Sequence, residues 1–240
     1  MPNLSDIHAA RERIHDGVVL TPVVPALALR DRLPCEGWLK LENTQRTGSF
    51  KDRGALNRLL DLTPDERKRG VVTASAGNHA QAVAYHGARL GVPVEVVMPT
   101  ETPLIKVVNT RRYGAAVTFH GATLSESMDE AQRIQRERNM TLVHAYDDER
   151  VIGGQGTIGL ELLEQLPSLT AIIVPIGGGG LISGIALAVR EQRPDVRVFG
   201  VEAAAAPSAL ASRRAGRVVK IESTDTIADG IAVKRVGDRT

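Results

Sequence analysis

At 240 residues, 42% of them hydrophobic, the chain can form one large or two modest domains with real cores, and it needs no covalent staples to fold. Its 30 basic and 28 acidic residues are scattered and leave a formal charge of +2, so neither nucleic acid nor an anionic membrane is expected as a partner, and small molecules are. A single cysteine, Cys35, excludes an internal disulfide framework, and no apolar leader or membrane-length window occurs, which together predict a cytoplasmic protein.

Leu4 to His15 has helical spacing, with Ser5 as its N-cap and Gly17 as its stop. Thr21-Pro22 breaks the chain, and Ala26 to Arg32 reads as a short helix before Pro34. The alternating run Trp38-Leu39-Lys40-Leu41-Glu42 predicts a strand and Ala55 to Leu60 a helix, which puts Lys51 near a strand-to-helix junction. From Gly70 the texture alternates. Strands are expected at Val71 to Ala74, Val94 to Met98, Ala116 to Phe119 and Thr141 to Val143, with helices at Ala80 to Leu90, Thr102 to Tyr113 and Leu124 to Glu137 between them. The strongest strands, Ala171 to Ile176 and Val196 to Val201, flank a helix from Leu181 to Arg190. Such alternation predicts an α/β fold with right-handed crossovers and parallel sheets, and the apolar runs of these last two strands suit a sheet covered on both faces.

Three stretches carry chemistry. Lys51 is placed at the first turn of a helix, where the macrodipole favours a neutral, nucleophilic amine; Thr47-Gly48-Ser49-Phe50 before it reads as a pocket floor rather than a solvated surface. Gly177-Gly178-Gly179-Gly180 separates a strand from a helix, so converging backbone N–H groups and the helix terminus make an anion site that suits a phosphate. Ser75-Ala76-Gly77-Asn78-His79 also joins a strand to a helix and can receive a carboxylate, with Asn78 offering both a donor and an acceptor. Two patterns are set aside. Gly154-Gln155-Gly156-Thr157-Ile158-Gly159 spells G-x-G-x-x-G but follows a polar segment instead of a strand and reads as helix packing, while His79 and His86 lack companions for a metal shell.

Ser49-Phe50-Lys51-Asp52-Arg53-Gly54 resembles the Schiff-base lysine motif of fold type II pyridoxal-phosphate enzymes, and Ser75 to His79, Gly177 to Leu181 and Ala228 to Arg235 follow in the order that group requires. The resemblance covers nearly the whole chain and implies a tryptophan synthase β-like architecture of two lobes. Residues 1–65 and 147–240 would form the large lobe, and residues 66–146 the small one. It implies that Lys51 carries pyridoxal 5'-phosphate and acts as catalytic base. Phe50, Asn78, Gly177, Gly178, Gly179, Gly180 and Leu181 would contact the cofactor. Ser75, Ala76, Gly77, Asn78 and His79 would hold the carboxylate of an amino-acid substrate.

Within the group, Ala76-Gly77-Asn78-His79-Ala80 is most similar to threonine and serine dehydratases. Serine racemases have a serine where this chain has Ala76, and a methyl group cannot move a proton. Racemisation, another β-elimination or replacement, and binding without turnover stay open as alternatives. Glu202 resembles a cation ligand of some members, but Ala203 to Ser208 supplies no second carboxylate, so no metal is predicted. The resemblance also implies a homo-oligomer, and a further C-terminal segment, beyond Thr240, that faces the pyridine nitrogen of the cofactor.

Overall fold

The computed structural model describes residues 1–222 and 224–240. Helix α1, Leu4–Ile14, is capped by Asn3 rather than Ser5: the Asn3 side chain accepts from the Asp6 N–H while the Asp6 carboxylate accepts from the Asn3 N–H. A cap at Ser5 would have put His8 at the third helical position, where no carboxylate could complete the reciprocal pair. Strands β1, Val23–Pro25, and β2, Trp38–Lys40, pair antiparallel around a 3₁₀ turn, and a loop leads from Leu41 to α2, Lys51–Leu60. A short helix α3, Pro64–Arg69, then opens an alternating block. It holds β3 Val71–Ala74, α4 Asn78–Leu90, β4 Val94–Met98, α5 Leu104–Arg111, β5 Ala116–Phe119, α6 Leu124–Arg138 and β6 Thr141–Leu142.

These four strands form one parallel sheet in the order β5-β4-β3-β6, and all of them fall within residues 66–146. Every residue of β3 and β4 is buried because helices cover both faces. Val71, Val96 and Met98 pack with α2, α4 and α5, whereas Val72, Ala74 and Val97 face Ala131 and Ile134 of α6. Successive strand residues point to opposite faces, so two helical layers favour apolar residues on both, and the charged exception, buried Glu95, is paired with Thr118 and Arg138.

After the sheet come α7 Glu149–Gln165, β7 Ala171–Pro175, α8 Gly180–Gln192, β8 Arg197–Val201 and α9 Ser208–Ala215. Strands β7 and β8 pair in parallel, with Ala171 opposite Arg197 and Pro175 opposite Val201. One face is buried through Ile172 and Val174, but Ile173 is 69% exposed and Phe199 47%, which corrects the expectation of a sheet covered on both faces. Helices α7 and α8 supply most of the core around Ile172 and Val174, with Val23 of β1 and Phe50 at its margin. The G-x-G-x-x-G stretch lies inside α7 as helix packing. A Cβ at Gly154 would come within 2.7 Å of the Gly54 Cα, and one at Gly156 within 2.9 Å of the Gly184 carbonyl oxygen, so these glycines let α7 approach α2 and α8 closely.

Candidate active site

Helix α2 carries Lys51 at its first position, and its depth in the protein is set two residues further on. Arg53 is completely buried, and its guanidinium donates from Nε and Nη2 to Glu42 at 2.8 Å each, and from Nη1 and Nη2 to Glu161 at 2.5 and 2.8 Å. Glu161 also accepts from Lys40 at 2.5 Å. The planar fork thus joins the loop before α2 to the middle of α7 with two bidentate contacts. Asp52, equally buried, accepts from the backbone and hydroxyl of Thr47 at 2.8 and 2.9 Å and lies 3.1 Å from His86 Nε2. Sequence reasoning singled out the lysine of this motif; the structure shows why an aspartate and an arginine accompany it.

The Lys51 Nζ donates to the Ala145 carbonyl at 2.6 Å and stands 5.2 Å from the centre of the Phe50 ring. Burial lowers its amine to about 8. The direction matches the reading of Lys51 as a nucleophile, and loss of solvent around the buried amine disfavours the ammonium.

Lys51 opens into a cleft of about 330 Å³. Phe50, Ser75, Ala76, Gly77, Asn78 and His79 line it on one side, and Gly177, Gly178, Gly179, Gly180 and Leu181 on another, so all the residues singled out around the three motifs meet there. The cleft lies beyond the carboxyl ends of β3, β6 and β7, where an open parallel α/β sheet leaves a crevice. Ser75 follows β3, and its Oγ accepts from the Gly77 N–H at 3.2 Å, which leaves the hydroxyl proton free to donate into the cleft. His79 is buried with Nε2 donating to the Val143 carbonyl at 3.1 Å, and burial, reinforced by the charge of Lys51, holds the ring down to about 3. It is therefore a neutral imidazole.

At the glycine run, Gly179 has φ +97°, a left-handed conformation that disfavours any side chain. The ring of Tyr146 would lie 2.2 to 2.4 Å from a Cβ at Gly178, and the Thr240 hydroxyl donates to the Gly178 carbonyl at 2.6 Å. Ser183 is the first N–H of α8 to donate backward, to the Gly179 carbonyl at 3.0 Å, so the preceding N–H groups of the turn face the cleft end without a helical acceptor.

Several contributors were not identified as site residues from sequence. Ala145 and Tyr146 follow β6, and the signal that could have found them was their place just past a parallel strand. Lys106 of α5 and Gln155 of α7 also line the cleft, together with Asp229 to Val233. Gln155 is buried, and neither Nε2 nor Oε1 has a hydrogen-bond partner among the described residues.

A cofactor with an aldehyde, a phosphate and polar ring substituents fits these features. A low-lying amine, a glycine turn at a helix start and an unpartnered buried amide converge on one cleft. Glu202 does not join them. Its carboxylate accepts from the Ala209 and Leu210 N–H groups at 2.7 and 2.8 Å and so caps α9.

The family described as pyridoxal-phosphate dependent enzymes matches residues 14–240. This chain belongs to that family. Its members are pyridoxal-phosphate dependent, and the α/β architecture is that of fold type II. The L-threonine ammonia-lyase of Thermotoga maritima is 46% identical over 240 residues, a match that covers 100% of this chain and 60% of the relative's length. The L-threo-3-hydroxyaspartate ammonia-lyase of Saccharomyces cerevisiae is 40% identical, with 100% of this chain and 74% of that protein covered. Among solved structures, maize serine racemase superposes with a TM-score of 0.95 at 38% identity, covering 100% of this chain and 72% of that one. The chain thus spans well under two thirds of the length of the Thermotoga relative, and these similar proteins act on different amino acids.

Proposed function

We propose that this protein dehydrates and deaminates L-threonine, and L-serine as a second substrate, to the 2-oxo acid and ammonia. The observation that carries the reading is a lysine amine lowered to about 8 by burial, in one cleft with a carboxylate loop and a glycine turn. Similarity to threonine ammonia-lyases supports the choice of substrate. Pyridoxal phosphate, when bound, supplies the electron sink that lets an amino acid lose its α-proton and β-hydroxyl. Lys51 would hold it through Nζ, and the turn Gly177–Gly180 would take its phosphate, with Phe50 and Leu181 as apolar walls.

The chain's own groups do the positioning and the proton transfer. Ser75 Oγ and the N–H groups at the start of α4 would hold the substrate carboxylate, and Asn78, which lines the same cleft, would contact the cofactor. The freed Lys51 amine takes the α-proton as general base, with the Ala145 carbonyl fixing its direction. The hydroxyl leaves as water and one water is returned in hydrolysis, so threonine gives 2-oxobutanoate and ammonia without net loss of atoms. Residues 66–146, which carry the carboxylate loop, would act as the smaller lobe against the rest.

Racemisation is disfavoured because Ala76, packed beside the buried core of α4, offers no second proton carrier across from Lys51. The decisive experiment compares the parent with Lys51→Ala. The parent should bind the cofactor with a visible absorbance band and release ammonia from threonine, and the variant should lose the band and about 100-fold or more of the rate. Near-parental turnover by the variant would reject the assignment.

A further inference from the structure

Besides Lys51, Lys106 is the one cationic side chain lining the cleft among the described residues, and it is already engaged: its Nζ donates to the Asp229 carboxylate at 2.8 Å. The two come from opposite sides. Lys106 projects from α5 beside the four-stranded sheet, while Asp229 begins the 3₁₀ turn Asp229–Ile231, whose Ile231 Cα would lie 3.2 Å from a Cβ at Gly177. The pair therefore bridges the cleft between the carboxylate-loop side and the glycine-turn side. Lys106 is partly shielded and Asp229 largely exposed, with side-chain exposures of 37% and 73%.

We infer that Asp229 sets the charge selectivity of the cleft by masking Lys106, so that amino acids with uncharged side chains are taken and those with a second carboxylate are discriminated against. The inference rests on the proposed lyase reading, and it concerns which β-hydroxy amino acid that lyase accepts. A substrate held by its α-carboxylate at Ser75 to Asn78 and by its amine near Lys51 has one remaining branch, the side chain, to meet whatever else lines the cleft. A methyl or hydrogen at the β-carbon asks nothing of Lys106. A carboxylate there would be attracted by a bare ammonium, but Asp229 both occupies that ammonium and adds a repelling charge. Because an exposed pair is weak, the masking is relative rather than absolute, and loss of the Asp229 charge converts Lys106 into a carboxylate site without moving the backbone.

The test uses the cofactor-loaded enzyme and the variants Asp229→Asn, Lys106→Gln and both together, each assayed with L-threonine and L-threo-3-hydroxyaspartate. Elimination from the latter gives oxaloacetate and ammonia by the same balance of atoms. Asp229→Asn should raise the ratio of kcat/KM for hydroxyaspartate over that for threonine by about tenfold, the scale of one charge-assisted hydrogen bond. The gain should vanish in the double variant, and Lys106→Gln alone should lower the ratio below that of the parent. Calorimetric titration with L-aspartate, which has the second carboxylate but no β-hydroxyl to lose, should show a matching gain in affinity that shrinks as salt is added. An unchanged ratio and affinity in Asp229→Asn, or a gain that survives Lys106→Gln, overturns the inference. If the parent turns over no amino acid, the lyase reading fails by itself and the aspartate titration still decides the role of the pair.

Discussion

Replacing Arg53 by Met probes the link between the catalytic lysine and the core beneath it. The substitution keeps an unbranched chain of comparable reach but removes four contacts of 2.5 to 2.8 Å to Glu42 and Glu161, a fifth to Thr157 at 3.1 Å and a long sixth to the Val19 carbonyl at 3.4 Å. Breaking a buried ion pair from one side costs about 3–5 kcal/mol, because the partner charge stays buried. The lower end applies here, since Glu42 keeps the Thr21 hydroxyl at 2.6 Å and Glu161 keeps Lys40 at 2.5 Å. A loss of about 3 kcal/mol with a urea slope of about 3 kcal/mol/M moves the unfolding midpoint down by about 1 M at unchanged slope. Adding Glu161→Gln to Arg53→Met removes one stranded carboxylate, so the double variant should be more stable than the sum of the single losses implies. Cofactor retention should fall in parallel, because the first turn of α2 then loses its guanidinium anchor and keeps only the lighter contacts of Lys51 and Asp52 among the described residues. A variant that unfolds at the parental midpoint, or a double variant whose losses simply add, would show that the guanidinium does not anchor the helix.

Three further outcomes follow from the same geometry. Gly178→Ala places a methyl group in the Tyr146 ring, and it should cost about 1–3 kcal/mol in thermal or urea unfolding and weaken cofactor binding by shifting Ala145, whose carbonyl holds Lys51. Covalent capture of the cofactor by the cofactor-free chain should accelerate as pH rises, with a midpoint close to 8, because burial lowers the Lys51 amine to about 8 and only its neutral form attacks an aldehyde. A rate that stays flat until the range of an exposed lysine would contradict the burial effect. The sign for stability is the same: unfolding restores an amine that binds its proton more tightly, so the cofactor-free chain should gain stability as pH rises from about 8 towards the ordinary lysine range. Ala76→Ser should add measurable racemisation of L-serine to elimination, checked by chiral chromatography of recovered serine, and a parent that already makes D-serine as fast as it eliminates would defeat the argument.

What the sequence determined by itself is what local chemistry dictates. Val94 to Met98 and Ala116 to Phe119 read as strands and are strands, because short runs rich in β-branched residues suit a pleated, at least half-buried surface. The four glycines between a strand and a helix marked a turn where side chains do not fit, and Lys51 stood at a helix start from its neighbours alone. Tertiary structure decided the rest, since it depends on which distant segments meet. Nothing near Lys51 in the chain indicates that Ala145 accepts its hydrogen bond, 94 residues away, or that Tyr146 closes over Gly178; both follow from β6 lying beside β3. Burial of the amine, the cause that local sequence could not show, depends on those remote groups. The open face of β7 and β8 has the same origin: Ile173 and Phe199 look like core in sequence, and whether a sheet face is covered is settled by the elements that pack on it, not by the strand that presents it.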